Sequence, residues 1–210
     1  MNTPNWKTVI STTGSTLLQG ISKVLLPFKK INKDLSQSDS INEVLFYGAE
    51  DDEKKHQVGL NNLFCIYYVI VHASRSVDVC LPSLISNTIS KCLITVRQNN
   101  SANIRVAIHN SDDRENLQIL AKHGISVKII NSTVKLEHEF ILVDAYDECQ
   151  DAVAVFGSLD YEMSRVNCNR DTTLLTSERI VVLALKKEFD RVWSTNGDVM
   201  ECESDDEKIQ

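Results

Sequence analysis

The chain has 210 residues, of which 42% are apolar and 24% are charged, with only 7 glycines and 3 prolines. This length and composition predict one globular domain with short extensions, and they exclude collagen-like, low-complexity and wholly disordered chains. The formal net charge of −7 argues against nucleic-acid binding through bulk positive charge, because such binding depends on neutralising phosphates with lysine and arginine.

The first forty residues differ in composition from the rest of the chain. Apolar residues at helical spacing between Leu17 and Phe28 predict an amphipathic helix, which either packs on the domain or docks on a membrane surface. The run is interrupted by too many polar residues to cross a bilayer. The polar stretch Asn32–Ser40 predicts a linker. Residues 1–40 are therefore assigned as an N-terminal amphipathic segment and linker.

Six cysteines lie scattered along the chain, without a C-x-x-C pair or a regular spacing. This distribution is typical of small buried side chains and reduced thiols, and it is not that of a disulfide framework. The cysteines therefore predict an intracellular, reducing environment.

Between residues 41 and 194, short β-branched runs alternate with longer amphipathic runs. The predicted elements, in chain order, are strand Glu43–Tyr47, helix Leu60–Ala73, strand Val77–Leu81, helix Ile85–Val96, strand Ile104–His109, helix 112–123, strand Val127–Ile130, strands 140–144, 152–158 and 172–177, and helix Glu178–Trp193. Gly124 is expected to end the third helix and Ser177 to cap the last one. The order predicts a single α/β domain with a mixed, mostly parallel sheet flanked by helices on both faces.

Three segments carry a resemblance to a known family: SVDVCLPSLISNTISKCL at 76–93, KLEHEFILVD at 135–144 and VFGSLDYEMSRVNCNRDTTLLTS at 155–177. Together with the helix that follows, they resemble the single-motif members of the phospholipase D superfamily, of the Zucchini or mitochondrial cardiolipin hydrolase type. The resemblance runs from about Asn42 to Trp193. It implies a phospholipase D-like domain whose relatives act as endonucleases in piRNA biogenesis or as phosphodiesterases on the mitochondrial surface.

The family signature H-x-K-x4-D, followed by G-S-x-N, is degenerate in this chain. The resemblance implies a metal-free site formed by two copies of the motif across a two-fold axis. There one histidine attacks phosphorus, the other protonates the leaving oxygen, and lysine and asparagine hold the phosphate oxygens. The positions of the signature are occupied here by Glu137, Glu139, Asp144, Gly157, Ser158 and Asp160. Of these residues, only Asp144, Gly157 and Ser158 match the family.

His138 does not restore the motif. It occupies the position between the two glutamates, and strand alternation points its side chain away from the pocket that they share. If the frame is moved by one residue so that His138 comes first, Phe140 replaces the lysine and Ala145 replaces the aspartate. Neither register gives a working motif.

The substitutions place carboxylates where the family binds phosphate. At an effective dielectric constant of about 20, two like charges about 4 Å apart repel by about 4 kcal/mol, so a phosphodiester is repelled in the absence of a metal. We therefore expect no catalytic residue at these positions, no cofactor and no metal. The alternative is that Glu137, Glu139, Asp144 and Asp160 bind Mg²⁺ or Mn²⁺ and hydrolyse RNA by ribonuclease H-like chemistry.

The leading hypothesis for function is a catalytically inactive phospholipase D-like protein that acts by binding in germline piRNA biogenesis and transposon silencing. On this hypothesis the carboxylates are solvated, or they are paired with Lys135 or Arg170. The resemblance implies protein partners, as a homodimer or as a heterodimer with an active relative. The charge does not support RNA binding, and the N-terminal segment supports weak membrane association at most.

Cytoplasm is the expected location, with a perinuclear germ granule and the mitochondrial surface as narrower alternatives. The phospholipase D-like domain is assigned to residues 41–194. Residues 195–210 hold six acidic residues and one lysine. Such a run is typical of a solvated chain end, so these residues are expected to form a disordered acidic tail.

Overall fold

The computed structural model describes residues 40–48, 53–84, 86–109, 114–146, 151–157 and 170–200, with the side chains of 53–58 excepted. The chain divides into two units between Ser40 and Ile41, and every described strand and helix belongs to the second unit. The predicted amphipathic helix between Leu17 and Phe28 lies outside the described residues. So do Ser158 and Asp160 of the degenerate motif.

Within the described ranges, the strands and helices come in the order that the sequence predicts, with one further strand at the end. They are β1 (Asn42–Phe46), α1 (Glu53–Val71), β2 (Ser76–Leu81), α2 (Asn87–Asn100), β3 (Asn103–Ile108), α3 (Arg114–Lys122), β4 (Ser126–Ile130), β5 (Phe140–Val143), β6 (Val153–Gly157), β7 (Thr172–Thr176), α4 (Arg179–Trp193) and β8 (Gly197–Met200). Helix α1 begins well before the predicted Leu60. Gly124 follows α3 with a φ of 74°, which confirms it as the end of that helix. None of the described helices is long and apolar enough to cross a bilayer.

The strands form one mixed sheet in the order β1-β7-β6-β5-β2-β3-β4-β8. Strands β2, β3 and β4 are parallel, because α2 and α3 cross over between them. The remaining neighbours, β1–β7, β2–β5, β4–β8, β5–β6 and β6–β7, are antiparallel. The α/β class is confirmed, but the prediction of a mostly parallel sheet is wrong. A parallel pair needs a crossover, and the described residues between β4 and β7 contain no helix to provide one.

Helices cover both faces of this sheet, as predicted. Helix α4 packs over β3, β5 and β6, where its Phe189 joins Cys80 and Phe140 in the buried core. On the opposite face the alternate residues Val77 and Val79 of β2 are fully buried. Helix α2 packs against α1 and α3 on that side. The centre of the sheet is therefore shielded from water on both faces.

A buried ion pair fixes α4 on the sheet. Asp78 of β2 is 2% exposed, and Arg105 of β3 donates to both of its carboxylate oxygens, at 2.8 and 2.9 Å. The Arg105 guanidinium also lies 4.7 Å from the centroid of the Phe189 ring, and it donates to Asp190 at 3.2 Å. An unpaired buried carboxylate is strongly destabilising, so Asp78 requires cationic partners. Arg105 is the hydrogen-bonded partner, and Lys186 Nζ of α4 lies 3.6 Å from Asp78 Oδ2. The position of α4 is therefore set by charge as well as by packing.

The predicted end of the domain at residue 194 is wrong. Strand β8 continues the sheet to Met200 and pairs antiparallel with β4, from Ile130↔Gly197 to Val127↔Met200. Glycine and aspartate are depleted in strands, so the segment GDVM carries a weak strand signal. Of the expected acidic tail, residues 201–210 lie outside the described residues.

Ser177 does not cap α4 as predicted. Its hydroxyl instead accepts a hydrogen bond from the Ile41 amide at 2.8 Å, and its own amide donates to the Ile41 carbonyl at 2.9 Å. Glu178 takes the cap position without a side-chain hydrogen bond. Ser177 therefore holds the start of β1 beside the end of β7.

The described cysteines agree in part with the sequence analysis. Cys80 and Cys92 are buried, Cys65 is exposed, and all three are free thiols. Burial raises the pKa of both Cys80 and Cys92 to about 12, which makes them inert packing residues at neutral pH.

Candidate functional site

The two halves of the degenerate motif meet at one end of the strands. Strands β2 and β6 finish at this end, and β5 starts there. Glu137 and Glu139 lie in the segment before β5, and Gly157 is the last residue of β6. The Gly157 amide donates to the Glu139 carbonyl at 3.1 Å. The backbone therefore places the motif halves side by side.

Side chains of the segment before β5 alternate between the two faces of the sheet. Phe140 is buried in the core below α4, and His138 Nε2 lies 2.7 Å from Glu188 Oε1 on α4. By the same alternation, Glu137 and Glu139 belong to the opposite face. Glu137 is exposed and Glu139 is partly buried. His138 is thus directed towards α4, in agreement with the sequence prediction.

An ion-pair chain on α4 holds His138 in this position. Arg191 donates to both oxygens of the Glu188 carboxylate, at 2.6 and 2.8 Å. These bonds lower the pKa of Glu188 from its ordinary value near 4.5; burial opposes the shift, and His138 adds a smaller lowering. Glu188 therefore stays ionised and anchors the imidazole on the α4 face. A histidine acting with the two glutamates would have to lie on the other face.

Asp144 lies at the opposite end of β5 and has a structural role. Its Oδ2 accepts hydrogen bonds from the amide and the hydroxyl of Ser74, both at 2.9 Å. Its Oδ1 accepts from the amides of Arg75 and Ser76, at 2.7 and 2.9 Å. The residue is 7% exposed and has a φ of 51°, a conformation that aspartate tolerates better than most residues. Asp144 therefore ties the turn before β2 to the end of β5.

Of the carboxylates considered as a metal site, the three that the structure describes, Glu137, Glu139 and Asp144, do not lie together. Glu139 and Asp144 flank β5 at its two ends, and a rise of about 3.3 Å per residue separates them by about 16 Å. Paired catalytic metals lie only about 4 Å apart. In the part of the chain that the structure describes, no group of three or more His, Cys, Asp or Glu side chains could hold a metal ion. Asp144 could join the other carboxylates at a metal only if it gave up the hydrogen bonds that both of its oxygens already accept.

Two buried hydroxyls near the motif were not singled out by the sequence. Thr173 of β7 pairs with Gly157 of β6. Tyr47 directly follows β1, at the same end of the strands. Thr173 is fully buried and Tyr47 is 6% exposed. Burial raises the pKa of Tyr47 well above its usual value of 10. Within the described residues neither hydroxyl makes a hydrogen bond of good geometry. Both residues lie in ordinary strand patterns, so no local signal marks them.

The sequence matches the family model described as the cardiolipin synthase, phospholipase D-like domain over residues 66–193. The mitochondrial cardiolipin hydrolase of Xenopus tropicalis is 25% identical over 130 residues, which cover 60% of this chain and 58% of the frog protein. The protein of the same name from Danio rerio is 24% identical over 135 residues, which cover 60% of this chain and 55% of the fish protein. The chain thus spans less than two thirds of the length of these relatives.

Solved structures share the fold at low sequence identity. Nuc from Salmonella typhimurium, a phospholipase D family member, superposes with a TM-score of 0.59 at 12% identity, covering 77% of this chain and 99% of Nuc. NucT from Helicobacter pylori gives a TM-score of 0.57 at 14% identity, covering 74% of this chain and 97% of NucT. The superpositions cover almost the whole of Nuc and of NucT. They agree with the family model, which covers more than half of this chain. The chain belongs to the phospholipase D superfamily and is related within it to the mitochondrial cardiolipin hydrolases.

Proposed function

We propose that this chain is a catalytically inactive phospholipase D-like protein that acts by binding. The observation that carries the proposal is the presence of Glu137 and Glu139 at the histidine and lysine positions of the motif, while His138 is held on the α4 face by Glu188. A carboxylate is a poor nucleophile towards phosphorus, and it repels the phosphodiester that the histidine and lysine would attack and bind.

Metal-dependent hydrolysis receives little support from the described geometry. The alternative required Mg²⁺ or Mn²⁺ on a shared set of carboxylates, and Asp144 lies at the far end of β5 with both oxygens hydrogen-bonded. Without Asp144 the described members of the set are Glu137 and Glu139. Two-metal hydrolysis normally uses more carboxylates than two, so binding is the better-supported role.

The resemblance to Zucchini-type proteins suggests germline piRNA biogenesis and transposon silencing as the process in which this binding takes place. A homodimer would have a site without histidine. A heterodimer with an active relative would contain one working motif and one degenerate motif. Such a pair lacks either the nucleophile or the proton donor, so pairing would suppress cleavage by the relative. Cytoplasm, a germ granule or the mitochondrial surface would each suit this role.

The purified chain is expected to leave single-stranded RNA intact, both in EDTA and in Mn²⁺, and the Glu139→Gln variant is expected to behave identically. The physical reason is the absence of a nucleophile at the motif positions. A gel assay over hours, with an active relative as the positive control, gives the measurement. Cleavage in EDTA would contradict the proposal. Cleavage that requires Mn²⁺ and disappears in Glu139→Gln would favour the ribonuclease alternative.

Removal of the chain from germ cells is expected to lower piRNA abundance and to raise transposon transcripts. A copy that carries Glu137→Gln and Glu139→Gln should restore both as fully as the unaltered chain, because the substitutions keep side-chain size and a binding role needs no carboxylate chemistry. Sequencing of small RNAs and transcripts measures both effects. Unchanged piRNA after removal would refute the pathway, and failure of the double variant alone would point to chemistry at these carboxylates.

A further inference from the structure

One asparagine of the chain, Asn196, is followed directly by a glycine, Gly197. The pair lies in the short connection between α4, which ends at Trp193, and β8, which begins at Gly197. Asn196 is exposed. The side-chain carboxamide of an asparagine can react with the backbone amide nitrogen of the next residue, and a glycine there has no side chain to obstruct the approach. The sequence and the position of this pair therefore mark a candidate site of chemical modification.

The hydrogen bonds between β4 and β8 do not use the Gly197 amide. The Asn131 amide donates to the Asn196 carbonyl at 3.1 Å, so these two residues form a hydrogen-bonded pair where the ladder begins. In an antiparallel ladder such pairs alternate with pairs that exchange no hydrogen bonds. The next pair, Ile130↔Gly197, is of the second kind. The Gly197 N–H therefore points away from β4, and the ladder does not hold the nitrogen that would react.

Packing against β4 explains why glycine follows Asn196. A Cβ atom at position 197 would lie 2.4 Å from the Ile129 carbonyl oxygen and 3.2 Å from the Ile130 Cα. Both are backbone atoms of β4, so no side chain fits between the two strands at this point. The close contact of β8 with β4 therefore places the least obstructed residue directly after an exposed asparagine.

We propose that Asn196 is a site of spontaneous deamidation in the folded chain. The Gly197 nitrogen forms a bond to the Asn196 Cγ, the bond between Cγ and Nδ2 breaks, and the Gly197 amide proton leaves with the Nδ2 group as ammonia. Water then opens the resulting succinimide ring. Attack of water at Cγ gives aspartate, whereas attack at the main-chain carbonyl carbon gives isoaspartate, in which the backbone runs through the former side chain.

The isoaspartate product is expected to loosen β8. It lengthens the main chain by one carbon atom at the residue whose carbonyl accepts the hydrogen bond from the Asn131 amide. Both products also add a negative charge beside Asp198, which lies on the same face of the strand and accepts a hydrogen bond from Asn131 Nδ2 at 2.9 Å. The pairing of β8 with β4 would therefore weaken as the protein ages. Strands β2 and β3 separate this ladder from β5, and the inference does not depend on the proposed function.

Peptide mapping by mass spectrometry of the full chain, incubated at body temperature and mildly alkaline pH, tests the reaction. Conversion at Asn196 is expected to be about 10-fold or more faster than at Asn131, which is followed by serine and whose side-chain amide is hydrogen-bonded to Asp198. Asn196→Gln is the matched control and should stay unconverted, because its longer side chain does not form the five-membered ring. Equal rates at Asn196 and Asn131 would overturn the proposal. So would conversion at Asn196 that occurs only in urea, because the fold would then protect the residue.

Amide hydrogen exchange tests the effect on β8. The Asn131 amide is expected to exchange faster in the isoaspartate form, purified by reversed-phase chromatography and refolded, than in the unconverted chain treated in the same way. The Gly157 amide, which donates to the Glu139 carbonyl, should exchange equally in both forms. The Asn196→Asp variant adds the charge without the extra backbone atom, so its increase at Asn131 should be smaller. Unchanged exchange at Asn131 in the isoaspartate form would overturn the inferred weakening of β8.

Discussion

Replacing Asp144 with alanine is expected to lower the free energy of unfolding by about 4 kcal/mol or more. The substitution leaves the amides of Ser74, Arg75 and Ser76 without the carboxylate that accepts their hydrogen bonds. A buried N–H group left without an acceptor costs about 1–3 kcal/mol. The turn is partly buried, so water replaces the lost acceptor only in part. Alanine also fits the backbone less well at a φ of 51°, which adds about 1 kcal/mol. Urea unfolding followed by circular dichroism measures the loss.

Two further variants separate the contributions to this effect. Ser74→Ala removes only the hydroxyl donor to Oδ2 and is expected to cost about 1 kcal/mol. Asp144→Asn keeps one acceptor oxygen and a side chain that tolerates the left-handed backbone, so its cost should lie between the other two. If Asp144→Ala cost no more than Ser74→Ala, the carboxylate would not hold the turn before β2, and its assignment as a structural residue would be wrong.

The described motif residues that match the family are those with a role in the fold. Asp144 binds the turn before β2, and Gly157 permits close contact between β6 and β7. Glu137, Glu139 and Asp160, by contrast, differ from the family at the positions that its chemistry uses. This division is what a chain would show if its fold were still required after its phosphodiesterase chemistry was lost. It therefore supports the proposal that the protein acts by binding.

Element positions could be predicted from the sequence because they depend on local periodicity. The arrangement of the sheet could not, because alternation identifies a strand without identifying its neighbour. Strand β5 pairs with β2 and not with β4, the strand that precedes it in the chain, and this placement produces the antiparallel half of the sheet. The pairing of β8 with β4 is non-local in the same way, and it gives structure to a segment of low strand propensity.

At the site, motif spacing was enough to predict which residues stand at the family's catalytic positions. The partners of those residues were not predictable, because they come from distant segments. Glu188 is fifty positions from His138 along the chain, and the amides around Arg75 are about seventy positions from Asp144. Only the folded chain shows that one residue is held by α4 and that the other closes a turn. The metal alternative assumed that Asp144 lies near the two glutamates. The hydrogen bonds from Ser74, Arg75 and Ser76 instead hold it at the far end of β5.

Gly157→Ala is expected to destabilise the protein by about 3–5 kcal/mol or to prevent folding. A Cβ atom at this position would lie 2.1 Å from the Thr172 carbonyl oxygen and 2.8 Å from the Thr173 Cα. These are backbone atoms of β7, which cannot move away without breaking the ladder between β6 and β7. The φ of 154° at Gly157 adds strain for any residue that has a Cβ atom. Thermal and urea unfolding measure the loss.

Gly124→Ala provides the matched control, because it adds the same methyl group at a glycine of positive φ in a more open place. There the new Cβ would lie 3.4 Å from the Arg97 Nε, at the end of a flexible side chain. We therefore expect only the cost of the left-handed backbone, about 1–2 kcal/mol. If Gly157→Ala lowered the free energy of unfolding no more than this control does, β6 and β7 could separate beside Gly157 without further loss of stability. The close contact would then not explain why glycine stands at this motif position.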